Sequence, residues 1–365
     1  GDDGGRLPGL SPDAPAEEFV DRLFRSTLGA LEVISVYLGD RLGYYRALAQ
    51  HGPQTPAQLA GRCGTHERYT REWLEQQAVN GLLRVEPAGD GRAYSLGDGA
   101  REVLTTEHSV NYLAPIGRFV AAVGGVLPEL LDAYRSGGGV GWAEMGPDAR
   151  EAQAALNRPW FEQALAPALA GLPDLHRILS RPGARVLDVG CGGAHSSIAL
   201  AAAYPDATVV GVDIDPATVT MAQDNVAQAG LEDRVEVRLA DAGSLGADGS
   251  FDAAFAFECV HDMPDPVAVL AAARRAVNPD GAVVIVDEAV ADEFTAPGDE
   301  LERFMYGASI LICLPDSMSA TPSVATGTVM RRSTLESYAT QAGFAATEVL
   351  PVEGFSFFRF YRLRH

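Results

Sequence analysis

From Glu17 to Leu104 the apolar positions keep a helical rhythm and then an alternating one. Phe19, Val20, Leu23, Phe24, Leu28, Leu31, Val33, Ile34 and Leu38 recur at steps of about three and four residues, which predicts a long amphipathic helix. Thr55-Pro56 opens a second helix with a capping residue and proline at its first position. Gly61 to Thr65 reads as a turn, and a third helix over His66 to Asn80 stops at Gly81. Leu82–Val85 and Arg92–Leu96, joined through Gly89-Asp90-Gly91, read as a hairpin. Helix, turn, helix and hairpin together predict a winged helix. From His108 to Arg181 the pattern is helical again, interrupted by the glycine run Ser136–Gly141.

Beyond Arg181 short apolar runs alternate with helical stretches. The runs are Arg185–Val189, Thr208–Val212, Arg234–Ala240, Phe251–Phe257 and Ala282–Val286, the last set off by Asn278-Pro279-Asp280-Gly281. That alternation predicts a parallel sheet covered by helices on both faces. Thr347–Leu350 and Ser356–Leu363 read as a closing strand pair. The expected divisions are a disordered tail over 1–16, a winged-helix domain over 17–105, a helical linker over 106–180 and an α/β domain over 181–365.

The chemistry begins at Asp188-Val189-Gly190-Cys191-Gly192-Gly193-Ala194, between the first apolar run and an alanine-rich helix. A strand, a glycine turn and a helix N-terminus bring backbone N–H groups close to an anionic or nucleotide-like ligand. Asp213 ends the next run, 25 residues after Asp188, where it can accept hydrogen bonds from both ribose hydroxyls. A dinucleotide fingerprint would want a third glycine where His195 stands. Asp241, Glu258 and Asp287-Glu288 close the following strands. Ligands of open α/β sheets bind beyond the carboxyl ends of the strands, so these acids are expected around one crevice.

The Asp-x-Gly-x-Gly turn with Asp213 downstream resembles motif I of class I S-adenosylmethionine-dependent methyltransferases. The resemblance implies a Rossmann-like seven-stranded sheet, mostly parallel with an antiparallel last strand, behind a winged-helix dimerisation domain. It implies S-adenosylmethionine held by Asp188, Gly190, Gly192, Asp213, Ile214 (under the adenine), Asp241, Ala242 and Glu258, leaving as S-adenosylhomocysteine. Asn157–Leu165 is similar to the F-x-x-A-M stretch lining that cofactor in related O-methyltransferases, which adds Phe161 and puts Trp160 in the acceptor pocket. Phe257–Met263 resembles the His-Asp-Trp segment of plant-type and bacterial O-methyltransferases, with Met263 for the tryptophan. It implies His261 as the base and Glu288 as the acid orienting it. The family's second orienting acid, expected just before Arg331, has no match here. A helix at about 298–315, carrying Met305, Tyr306 and Cys313, is expected to roof a partly apolar or aromatic acceptor.

Composition narrows the partners. The 365 residues carry 28 basic and 49 acidic side chains, a net charge of −21, and every fixed cation is arginine. Between Thr55 and Leu96, Arg62, Arg68, Arg71, Arg84 and Arg92 are matched by Glu67, Glu72, Glu75, Glu86 and Asp90. That balance offers phosphates no net attraction and speaks against nucleic acid. No apolar run approaches the ~20 residues that span a bilayer. Cys63, Cys191, Cys259 and Cys313 are scattered without C-x-x-C spacing, and no His/Asp/Glu set has metal-ligand spacing, so no metal is expected. A cytoplasmic homodimer, paired through Leu28–Leu38 and acting on a hydroxyl of a small molecule of secondary metabolism, is the resulting expectation. N- or C-methylation at the same site stays open, as does a winged-helix regulator or a non-methylating protein that binds the cofactor.

Overall fold

The computed structural model describes residues 11–245 and 249–365. The expected tail therefore falls mostly outside the described residues; Ser11–Pro15 precede a helix that begins at Ala16. The chain divides into two compact units, one running through Ala121 and one from Ala122.

In the first unit the helix Ala16–Arg41 leads into Tyr44–His51, Pro56–Cys63 and Glu67–Val79. Thr55 and Gln58 form a reciprocal capping box at Pro56, and His66 caps the next helix. β1 (Arg84–Ala88) and β2 (Gly91–Ser95) make the wing, two residues later at the first strand than the apolar pattern suggested. Tyr44, Tyr45, Leu48, Leu59, Leu74 and Tyr94 fill the core, with the Tyr44 and Tyr45 rings against Trp73. Part of the expected linker joins this unit. Arg118 donates to both carboxylate oxygens of Asp40, at 2.6 and 3.1 Å, and so ties the chain back past residue 105.

The second unit is a seven-stranded sheet. Its strands are β3 (Arg185–Val189), β4 (Thr208–Asp213), β5 (Val235–Leu239), β6 (Phe251–Phe257), β7 (Val277–Glu288), β8 (Ala346–Val349) and β9 (Phe358–Arg364). Their order is β5-β4-β3-β6-β7-β9-β8, parallel from β5 to β7, with β9 antiparallel between β7 and β8. β7 starts five residues before the expected Ala282. Asn278–Gly281 form an irregularity within the strand rather than its boundary, and the register shifts between Phe251 and Ala253. A Cβ at Gly281 would stand 2.4 Å from the Asp252 carbonyl oxygen, so only glycine lets the strands close there.

The two sheet faces bury separate cores. Val186, Val209, Phe257, Val284 and Val286 pack on one side; Leu187, Val210, Val260, Val283 and Ile285 pack on the other. Among the described residues no helix is long and apolar enough to cross a membrane.

Candidate active site

The β3 turn is built from its backbone. Gly190 and Gly192 sit at φ 64° and 53°, left-handed values that favour glycine, and nothing stands within 4 Å of where a Gly192 Cβ would be. Asp188 is 0% exposed, and its Oδ2 accepts the hydroxyls of Ser196 and Ser197 at 2.6 Å each. It thereby pins the first turn of the helix His195–Ala203 to the strand end. Burial pushes this carboxyl up to about 6, against the pull of the two seryl hydrogen bonds. Asp213, at the end of β4, accepts from the Gly192 N–H at 3.1 Å through Oδ2 and from the Asp215 N–H at 3.0 Å through Oδ1. Each oxygen keeps acceptor capacity for a further donor. Ile214 beyond it is 70% exposed. Asp241, after β5, caps the short turn Ala242–Ser244 through the Gly243 N–H, with Ala242 buried beneath.

A second cluster forms where β6 and β7 end. Glu258 leaves β6 at φ 55°, an unusual value for a non-glycine residue. The turn Val260–Asp262 then carries His261 inward until only 2% is exposed. Its Nδ1 lies 2.6 Å from Asp287 Oδ1, and its Nε2 lies 3.3 Å from Asp262 Oδ1. Burial disfavours the imidazolium, but the carboxylates of Asp262 and Asp287 outweigh it and hold the ring's pKa well above 6.5. Glu258 Oε2 accepts from Gln153 Nε2 at 3.0 Å and Asn157 Nδ2 at 2.9 Å. Glu288 hydrogen-bonds to Glu258, and burial raises the pKa of both. Two adjoining buried carboxyls keep one proton between them.

Helices from outside the sheet close over these strand ends. The helix Trp142–Trp160 supplies Gln153 and Asn157 and runs into a π-turn, Phe161–Leu165, whose Phe161 ring meets Phe257 edge-on at 5.2 Å. A second helix, Glu300–Ala308, passes through another π-turn, Ser309–Cys313, into Leu314–Met318. π-Turns insert one residue and recur at functional sites. Cys313 in this one hydrogen-bonds to His261. Asp316, one turn on, accepts the Trp142 N–H at 2.8 Å and lies within electrostatic reach of both Asp213 and His261. Burial pushes its carboxyl up to about 6.

Residues 180–320 match the family described as methyltransferase domain, and residues 29–106 match the Rv2258c-like winged HTH domain. Residues 180–320 are a methyltransferase domain. A curated relative, 27-O-demethylrifamycin SV methyltransferase of Amycolatopsis mediterranei, is 38% identical over 124 residues, 34% of this chain and 43% of that one. The chain spans about two fifths of the length of the curated relatives it matches. Two solved structures cover nearly all of it. The mitomycin 7-O-methyltransferase MmcR superimposes at a TM-score of 0.69 with 20% identity, over 96% of this chain and 98% of that one. PigF, solved with SAH, superimposes at 0.72 with 18% identity, over 96% and 100%. At such identities the solved structures establish the fold.

Within the methyltransferase domain the expected residues fall into three groups. Gly190, Gly192, Asp213, Ile214, Asp241 and Ala242 line the carboxyl ends of β3, β4 and β5 as expected from the strand pattern. Asp188 stands at the same edge but spends its side chain inside the protein, on Ser196 and Ser197. Glu288 hydrogen-bonds to Glu258 and has a carboxylate oxygen within 4.8 Å of a His261 ring nitrogen, while the carboxylate hydrogen-bonded to the ring is that of Asp287. Of the acceptor-side candidates, Cys313 touches His261, Met305 is buried, and Tyr306 hydrogen-bonds to Arg331. Trp160 instead packs on Phe355, with the core on one sheet face.

Asp316 and Gln153 were not singled out from the sequence, and Asp287 only as one of the strand-end acids expected around the crevice. Strand alternation carries a signal for Asp287. It shares the parity of Val283 and Ile285, which face the same core as Val260, whereas Glu288 shares that of Val284 and Val286. No comparable signal marks Asp316 or Gln153.

Proposed function

We propose that this chain moves the methyl group of S-adenosylmethionine to a hydroxyl of a small, partly apolar or aromatic molecule of secondary metabolism. The observation that carries the reading is the meeting, at one sheet edge of a methyltransferase domain, of a diol-ready carboxylate and a buried histidine–aspartate pair. Asp213 keeps free acceptor capacity on both oxygens, and open space lies beside Gly192, which suits a nucleoside with its sugar toward β4. Bound there, the sulfonium cofactor supplies an activated methyl group and departs as the thioether S-adenosylhomocysteine.

The chain's own part is positioning and one proton transfer. With Nδ1–H held by Asp287, Nε2, which lies 3.3 Å from Asp262 Oδ1, would be the nitrogen left to serve an acceptor. With the imidazole in its neutral form, Nε2 would take the proton of the acceptor hydroxyl. Glu258 and Glu288, sharing a proton, fix Gln153 and Asn157 to the strand ends beside the cofactor. Asp241 and Ala242 complete the adenine end, and Phe161, Met305, Tyr306 and Cys313 shape the rest of the crevice.

The winged helix serves assembly in this reading. Arg68 is paired with Glu72 and Arg92 with Glu75, which leaves the helix Glu67–Val79 poorly equipped for phosphates. Leu28, Leu31, Ile34 and Leu38 expose an apolar stripe along the first helix, suited to a second copy of the chain.

Calorimetry with S-adenosylmethionine, S-adenosylhomocysteine and NADH, followed by methyl incorporation into a panel of phenols, tests the proposal. Heat with the first two and label on a phenol are expected. Silence with both, alongside tight NADH binding, would sink it.

A further inference from the structure

One corner of the crevice gathers ligand-type atoms from three side chains around His261. The turn Val260–Asp262 contributes His261 and Asp262, and the π-turn Ser309–Cys313 contributes a thiol from 51 residues after Asp262. One ligand atom from each of these three side chains lies within 4.8 Å of the others. The separation of Nε2 and Asp262 Oδ1 is 3.3 Å. Zinc bonds of about 2.0–2.3 Å in a tetrahedron place ligands roughly 3.3–3.8 Å apart, so this spacing is close to what such an ion needs.

The surroundings of these three side chains suit an occupant. The far ring nitrogen, Nδ1, is already held by the Asp287 carboxylate at 2.6 Å, which is how metal-bound histidines are oriented from behind. Asp262 Oδ1 is buried 3.3 Å from His261 Nε2, and the Asp262 carboxylate hydrogen-bonds to the Cys313 thiol. Thr328, on a side chain that is 2% exposed, hydrogen-bonds to the Cys313 thiol. Nitrogen, thiol sulfur and carboxylate oxygen are the donor set of zinc rather than of magnesium or calcium. The Asp262 side chain is 31% exposed, so the corner is open on one side for a fourth ligand.

We propose that His261, Asp262 and Cys313 bind one zinc-class divalent cation, and that its occupancy silences methyl transfer by engaging His261 Nε2. Binding releases the thiol proton of Cys313 and any proton on Nε2 to solvent, with no change of oxidation state. The inhibitory half rests on His261 being the base; the binding half does not.

The test uses the full chain, stripped with EDTA and titrated with CoCl2 and then ZnCl2. One Co2+ per chain is expected, with the ligand-field bands of a tetrahedral site, a sulfur-to-cobalt charge-transfer band, and displacement by Zn2+. Cys313→Ser should abolish the charge-transfer band, and Asp262→Asn should weaken binding tenfold or more. Initial methylation rates should fall as Zn2+ fills the site and recover with EDTA. Absence of stoichiometric binding, or a charge-transfer band unchanged in Cys313→Ser, overturns the site and leaves the base assignment standing. Binding that leaves the rate untouched keeps the site and overturns the base.

Discussion

The two ends of the crevice are built in opposite ways. At the β3–β4 end, Asp188 reaches Ser196 and Ser197 eight and nine residues on, and Asp213 holds Gly192 across 21 residues. Nearly everything there is backbone or an adjacent turn. At the β6–β7 end, His261 meets Asp287 at a distance of 26 residues, while Glu258 takes its hydrogen bonds from 101 and 105 residues away. The first end is a property of one strand–turn–helix unit and its neighbour. The second exists only because β6 and β7 are adjacent and two outside helices, each with a π-turn, come down over them. The glycine-turn end is local; the histidine–aspartate end is not.

If the ends are separate devices, their variants should separate as well. The largest effect belongs to His261→Ala, expected to lower kcat by roughly two to four orders of magnitude while cofactor affinity by calorimetry stays put. An equal loss of affinity would merge the two ends. Asp213→Ala should do the reverse. Removing a charged acceptor from two ribose hydroxyls costs about 10- to 100-fold in cofactor Kd, with kcat at saturation little changed.

Sharper still is the contrast between neighbours. Asp287→Asn should cost roughly tenfold or more in kcat, because the amide no longer fixes the imidazole tautomer. Glu288→Gln should stay within about threefold, since an amide reproduces the hydrogen-bond donor of a protonated carboxyl. Kinetics in which Glu288 is the sensitive position would restore it as the orienting acid.

The smallest effect is on stability. Asp188 has a folded pKa near about 6, against an ordinary value of 3.8. Raised in the fold, it favours folding most fully below about pH 4, and that advantage drains away as pH rises to about 6. The urea stability of the wild type relative to Asp188→Asn should therefore drop by about 2–3 kcal/mol across that window and stay level above it. A flat difference would mean that the buried carboxyl titrates normally.

Much of this was legible in the order of residues. Apolar runs of about five residues, each followed by an acid and a helical stretch, already implied a parallel sheet with its acids on one edge. Capping chemistry at Thr55-Pro56 and the turn at Gly89-Asp90 placed the winged helix to within a few residues. Less legible was the start of β7, because Asn278–Gly281 carries every mark of a turn and is absorbed into the strand. The choice between Asp287 and Glu288 turned on parity, which needs the facing of the neighbouring strand residues before it can be read.

What the sequence determined by itself is whatever the backbone dictates over one βαβ step: the glycine turn, the helix start above it and the carboxylate at the end of the next strand. What tertiary structure alone decided is which distant side chains share a point in space. Cys313, Asp316, Gln153 and Asn157 reach the crevice through sheet order, helix docking and the extra residue of a π-turn. Local sterics settle the first set, since they act between neighbours along the chain. Packing settles the second, since burial of both sheet faces fixes where each covering helix must lie.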